Sequence, residues 1–250
     1  MSDSPGTVLL EVSGVTKRFG GILANDHIDL TMRSGEIVGL IGPNGAGKTT
    51  LFNMLGGVRP EGHKRGADSG VIAFDGTDIT HLPAHTVCRL GVGRAFQIVK
   101  VFDHMDVLSN IAVGAMVRYG SLVEAEQAAE GIVDLVGLAS RARVKAGSLT
   151  LVDRKRVEVA RALATQPKLL MLDEVMAGLT PAEVGVAVEL VRSINETGVT
   201  VLMVEHVLEA VMALSERVVV LHQGRVIADS PPDVVVQDPT VIDAYLGHMK

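Results

Sequence analysis

Short apolar runs rich in Val, Ile and Leu alternate with stretches whose apolar residues recur at helical spacing, which predicts strands joined by crossover helices and a largely parallel sheet. The expected fold class is α/β. Ile37–Ile41 reads as a buried central strand, and the runs Leu169–Leu172 and Val199–Val204 have the same character. Val8–Val12, Ile28–Met32 and Val71–Phe74 are bounded by Gly, Asp and Ser without long helices between them, so they predict an antiparallel β edge. From about Met105 to Leu149 the spacing turns helical, through Val107, Ile111, Val113 and Met116 and then Ala128, Ile132, Leu135 and Val136, which predicts a helical insert. Arg59 to Gly70 is polar and Gly-rich and reads as a loop. Pro231-Pro232 opens a short helix and Val241–Leu246 predicts another; no repeat, low-complexity tract or second domain is visible.

Composition narrows the class. The 250 residues are 47% hydrophobic and 21% charged, with a mean hydropathy of +0.33, which fits one compact domain with a sizeable core and excludes disorder, collagen and a disulfide scaffold. No uninterrupted apolar stretch approaches the roughly 20 residues needed to span a bilayer. The opening MSDSPGTVLLEV lacks a basic segment followed by a long apolar one, so the expected location is the cytoplasm. Cys88, the one cysteine, cannot form an internal bridge and reads as a small core residue, and no Cys and His cluster has metal-site spacing. A net charge of -6 with scattered basic residues argues against a nucleic-acid partner. Aromatics are only 3%, and Phe19, within Lys17-Arg18-Phe19-Gly20-Gly21, is the one that stands in a clearly polar context.

Chemistry enters directly after the central strand. Gly42-Pro43-Asn44-Gly45-Ala46-Gly47-Lys48-Thr49 is a full match to the phosphate-loop pattern, and the helical Thr50-Leu51-Phe52-Asn53-Met54-Leu55 follows it. Backbone N–H groups can converge on phosphate oxygens only where no Cβ intervenes, hence the glycines, and the helix start behind them favours an anion. Lys48 is expected to bridge β- and γ-phosphates, and the Thr49 hydroxyl to bind Mg²⁺.

Leu169-Leu170-Met171-Leu172-Asp173-Glu174 delivers two carboxylates at a strand end, which a parallel sheet is expected to set beside the phosphate loop. Asp173 is then a Mg²⁺ ligand, directly or through water, and Glu174 a group that polarises an attacking water. Such an acidic pair read alone is more often a turn or helix-start feature. Val201-Leu202-Met203-Val204-Glu205-His206 repeats the arrangement, which would bring His206 toward the γ-phosphate; a lone His there is usually a surface or capping residue. Gln97, after Gly93-Arg94-Ala95-Phe96, is less informative still.

In order and spacing these residues resemble the ATP-binding cassette (ABC) family across nearly the whole chain. The resemblance implies Phe19 against adenine, Gly42 to Thr50 as the Walker A loop, Gln97 as the Q-loop glutamine at the metal and the reacting water, Asp173 and Glu174 as Walker B with the catalytic Glu, and His206 as the switch histidine. A closer resemblance is to ATP-binding subunits of branched-chain amino acid importers, through Gly93–Gln97, Arg161–Lys168, Ala177-Gly178-Leu179 and the ending Asp238-Pro239 to Ala244-Tyr245-Leu246-Gly247. It implies a single nucleotide-binding domain over 1–250, with 1–97 and 160–250 as the ATP-binding core and about 98–159 as a helical signature subdomain. It also implies membrane permease partners, a second cassette paired head to tail, a separate extracytoplasmic solute-binding protein, and a position on the inner face of the cell membrane. A soluble ABC ATPase, such as one for iron–sulfur assembly, and a weakly hydrolysing nucleotide sensor are the alternatives.

Three positions depart from the family pattern. Leu149-Thr150-Leu151-Val152-Asp153 stands where the signature usually reads Leu-Ser-Gly-Gly-Gln, and Val152 there resists a positive φ and a close approach to phosphate. Val175 replaces a usual Pro, and Thr180 a usual Asp or Asn. The uneven motif set suggests two unequal sites in a pair of different cassettes.

Overall fold

The computed structural model describes residues 6–59 and 66–246. Residues 60–65 of the expected loop, the opening five residues and the stretch from Gly247 onward lie outside the described residues. The chain forms two compact units, Met1–Val87 with Thr200–Lys250, and Cys88–Val199.

The first unit opens with β1 (Val8–Phe19) and β2 (Ile22–Arg33), then β3 (Ile37–Ile41), α1 (Lys48–Leu55), β4 (Ser69–Phe74), β5 (Thr77–Asp78) and α2 (Ala84–Leu90), which leads into the second unit. That unit holds β6 (Val92–Ala95), α3 (Val107–Ala115), α4 (Leu122–Leu135), α5 (Leu151–Leu163), β7 (Leu169–Asp173) and α6 (Pro181–Glu196). The chain returns to the first unit with β8 (Thr200–Val204), α7 (Leu208–Leu214), β9 (Arg217–His222), β10 (Arg225–Ser230), α8 (Pro232–Val235) and α9 (Pro239–Leu246).

The expected antiparallel edge is a sheet in the order β2-β1-β4-β5. Its alternation is clean in β2, where Ile28, Leu30 and Met32 are buried while Asp29 and Thr31 are exposed. β3 is buried at every residue and is paired in parallel on both edges, β8 pairing Leu40 with Val204 and β9 pairing Ile41 with Val220, as in a central strand of a sheet covered on both faces. β9 and β10 close this face as a hairpin on Gln223 and Gly224, with φ of 48° and 80°. Both central residues in the left-handed region are what a two-residue turn between twisted strands requires. In the second unit β6 and β7 pair in parallel, Arg94 opposite Met171 and Ala95 opposite Leu172.

The helical insert is present, and of the residues that mark its spacing Val107, Ile111 and Val136 are in its core. Val113 and Met116 are exposed, Ala128 and Leu135 are only half-buried, and the core is made by Ile111, Ala112, Ala125, Ala129, Val133 and their neighbours. Spacing arguments favour the largest aliphatics, whereas these helices meet through small residues that let their backbones approach. Cys88 is half-buried on α2 rather than a core residue.

Gly114 shows how close that approach is: a Cβ built there lies 2.1 Å from the Arg161 carbonyl oxygen of α5. Helix propensity alone favours Gly114→Ala by up to about 1 kcal/mol. The clash reverses the sign, and chemical denaturation of Gly114→Ala is expected to show a loss of about 1–3 kcal/mol, the range for overpacked sites.

Candidate functional site

In the first unit the phosphate loop is built on two backbone approaches that exclude side chains. A Cβ at Gly42, whose φ is 151°, lies 2.1 Å from the Leu221 carbonyl oxygen; one at Gly47, φ 104°, lies 2.4 Å from the Ala24 carbonyl oxygen. Gly224 donates its N–H to the Ala46 carbonyl at 3.0 Å, and Asn25 Nδ2 donates to the Gly47 carbonyl at 3.3 Å. Adjoining segments therefore grip the loop from behind. Gly47 is the N-cap of α1 and no side chain caps that helix end, whose first-turn N–H groups and dipole favour an anion. Lys48 is 7% exposed, and its Nζ donates to the carbonyls of Gly42 at 2.7 Å and Pro43 at 3.1 Å, so the ammonium is held inside the loop. Thr49 and Thr50 follow on the first turn of α1.

The parallel register of β3 and β8 sends the loop and the Glu205-His206 pair out of the same sheet end. Glu205 is buried, and His206 is exposed on the wall of an apolar cavity of about 330 Å³ shared with Ile41, Val211, Val241 and Tyr245. Tyr245, on α9, takes a hydrogen bond from the Gly42 backbone, while burial pushes its phenol above the usual range. The sequence reading singled out this ending but assigned no role in the site to Tyr245. Phe19 lies at the tip of the β1–β2 hairpin, where the Lys17 ammonium sits 5.5 Å from its ring centroid.

The acidic half is organised within the second unit. Asp173 ends β7 at 7% exposure, and Arg94 on β6 donates to its Oδ2 at 2.5 Å. The same guanidinium lies 4.8 Å from the centroid of the Phe96 ring. Glu174 has φ 50°, a left-handed conformation that costs a non-glycine residue about 1 kcal/mol or more. Gln97 Nε2 donates to Glu174 Oε2 at 2.5 Å, so one side chain on β6 and one just after it each hold a carboxylate. Gln97 is among the expected site residues, whereas Arg94 is an addition from the structure: β6 is four residues long, with Gly and Arg at its centre, and its pairing with β7 carries no local sequence signal.

Two of the departures from the family pattern, Thr150 and Thr180, are helix caps. Thr150 is the N-cap of α5, its hydroxyl accepting from the Asp153 N–H at 3.3 Å and lying 3.0 Å from Asp153 Oδ2. Arg141 and Arg156 both pair with that carboxylate. Val152 lies within the first turn of α5 at an ordinary φ, so the expected conflict over a positive φ does not arise. Thr180 caps α6 in a reciprocal capping box with Glu183. Val175 is buried, and its carbonyl accepts from Lys155 Nζ at 3.0 Å.

Comparison with known proteins follows the same motifs. The ABC transporter family pattern matches residues 25–177, and that of the branched-chain amino acid ATP-binding cassette transporters matches residues 225–250. The chain is similar to the high-affinity branched-chain amino acid transport ATP-binding protein BraF of Pseudomonas aeruginosa, with 39% identity over 96% of this chain and 98% of BraF. LivG of Escherichia coli, of the same description, is 38% identical over the same shares. Among solved structures, the ADP conformation of an ATP-binding cassette of an ABC transporter superposes with a TM-score of 0.86 at 29% identity, over 96% of this chain and 99% of the other. Phosphate loop, acidic strand end, fold and full-length similarity agree, and the chain belongs to the ABC transporter family as one of its ATPase cassettes.

Proposed function

We propose that this cassette hydrolyses ATP to drive an importer of branched-chain or related amino acids, working on the inner face of the cell membrane against permease subunits. Full-length similarity to BraF and LivG is the observation that carries this reading. Among the described residues no helix is long and apolar enough to cross a membrane. The solute is captured outside by a separate binding protein and never meets the cassette. The single-domain organisation, with a helical signature subdomain at about 98–159, belongs to the same proposal.

In this reading Gly42 to Thr50 hold the phosphates, and the Lys48 ammonium exchanges the Gly42 and Pro43 carbonyls for phosphate oxygens. Phe19 stacks on the adenine. Thr49, Gln97 and Asp173 hold Mg²⁺, which when bound supplies charge neutralisation at the β- and γ-phosphates. The donor set fits that ion, because Mg²⁺ in nucleotide sites takes one or two carboxylates and leaves the remaining positions to phosphate and water. Glu174 accepts the proton of the attacking water, its strained φ and its bond to Gln97 fixing the direction of the carboxylate. His206 orients the γ-phosphate from the neighbouring strand end.

The α5 N-terminus supports a pairing of two different cassettes. The Thr150 hydroxyl there already accepts from the Asp153 N–H and lies against the Asp153 carboxylate, so it is taken up in capping its own helix rather than turned toward a phosphate. The site that this signature completes is then the weaker one, and the site built on this chain's own Walker residues the stronger.

Lys48→Ala is expected to weaken ATP binding in a fluorescence titration. Glu174→Gln should leave binding intact while steady-state hydrolysis falls about 10²-fold or more, the lower end of general-base contributions. In the complex reconstituted with permease and partner cassette, Glu174→Gln should cost more turnover than the equivalent change in the partner; equal losses reject the unequal pair. Co-purification with a permease, and loss of amino-acid uptake on deletion of the chain, test the transport assignment.

A further inference from the structure

The Arg94–Asp173 pair is more than a structural ion pair. Its two side chains are only 9% and 10% exposed, and their contact of 2.5 Å occupies Oδ2 of the carboxylate assigned above to the metal. We propose that Arg94 is a resident counter-cation that competes with Mg²⁺ for Asp173, so that the cassette takes up the divalent ion only at a raised concentration or together with the nucleotide's own negative charge. The inference rests on the assignment of Asp173 as a metal ligand.

The physical basis is charge. A carboxylate buried to this degree needs a cationic partner, and the strand register supplies one: β6 and β7 run parallel with Arg94 opposite Met171, two residues before Asp173. An arginine stays protonated at any working pH, so it remains a fixed positive charge beside the carboxylate. A divalent ion held by Asp173 would share the carboxylate with the guanidinium already bonded to Oδ2, where the effective dielectric is well below that of water. The attraction of Asp173 for the metal is offset in part by repulsion between the two cations. The Phe96 ring, 4.8 Å from the guanidinium and 43% exposed, offers Arg94 a second support on which it can remain while its bond to the carboxylate lengthens.

The competing explanation, an arginine that merely stabilises the β6–β7 pair, predicts a change in folding stability and none in metal dependence. The full chain is titrated with a fluorescent N-methylanthraniloyl derivative of ATP, first with a chelator and then across a Mg²⁺ series. The variants are Arg94→Gln, which keeps hydrogen-bond donors without the charge, and Arg94→Met. Both are expected to reach half-maximal metal-dependent binding at a Mg²⁺ concentration about tenfold lower than the unaltered chain, the size of effect one adjacent charge has on a carboxylate. Thermal stability without metal should fall in both, and the gain on adding Mg²⁺ and nucleotide should be larger. An unchanged or higher Mg²⁺ requirement in both variants overturns the competition. Asp173→Asn separates the two layers of the argument. Loss of its metal-dependent enhancement upholds Asp173 as the ligand whatever Arg94 does, and retention of the full enhancement rejects that assignment and the proposal with it.

Discussion

The phosphate loop depends on backbone packing against backbone. At Gly42 and Gly47 the carbonyls of Leu221 and Ala24 come within 2.1 and 2.4 Å of where a Cβ would stand. No side chain fits at either place, and both glycines hold positive φ. The consequence is a loop whose shape is set from behind by β2 and by the end of β9, so its N–H groups need little rearrangement to face an anion. Gly224, in the β9–β10 turn, adds a bond to Ala46 and brings a Cβ-free surface of its own within 2.9 Å of the Ala24 carbonyl. The hairpin that looks peripheral in the chain is therefore part of the loop's foundation.

The acidic half follows a different logic. Here the functional groups are side chains, and each needs a partner that fixes it without consuming it. Arg94 holds Asp173 and Gln97 holds Glu174, both from the strand end that lies beside β7. The left-handed φ of Glu174 is a local cost that the surrounding turn sustains, with Val175 and Met176 buried after it and Ala177 bonded back to the Glu174 carbonyl.

Much of this was legible in the sequence. Pattern and period located β3, β7 and β8, because strands buried on both faces read as unbroken apolar runs, and the glycines of the loop declared their purpose through spacing. The helical insert was legible as helix but only in part as a packing face, since Ala125, Ala129 and Gly114 carry little hydrophobic signal and act through proximity. Val218–Leu221 with Gln223-Gly224 carried a readable hairpin that the reading passed over. The contact of Tyr245 with Gly42 joins residues far apart in the chain, and no local pattern encodes it. Thr150 and Thr180 cap α5 and α6, and Val152 lies within the first turn of α5, where no positive φ is needed.

The central claim is that the glycine loop and the acidic couple act on one triphosphate and one divalent ion. A crystal structure of the Glu174→Gln chain with ATP and Mg²⁺ tests it most directly. The account predicts the metal at the Thr49 hydroxyl and at Asp173, directly or through a single water, with the Lys48 ammonium on the β- and γ-phosphates. A metal bound to the nucleotide with Asp173 out of reach even through a water contradicts it.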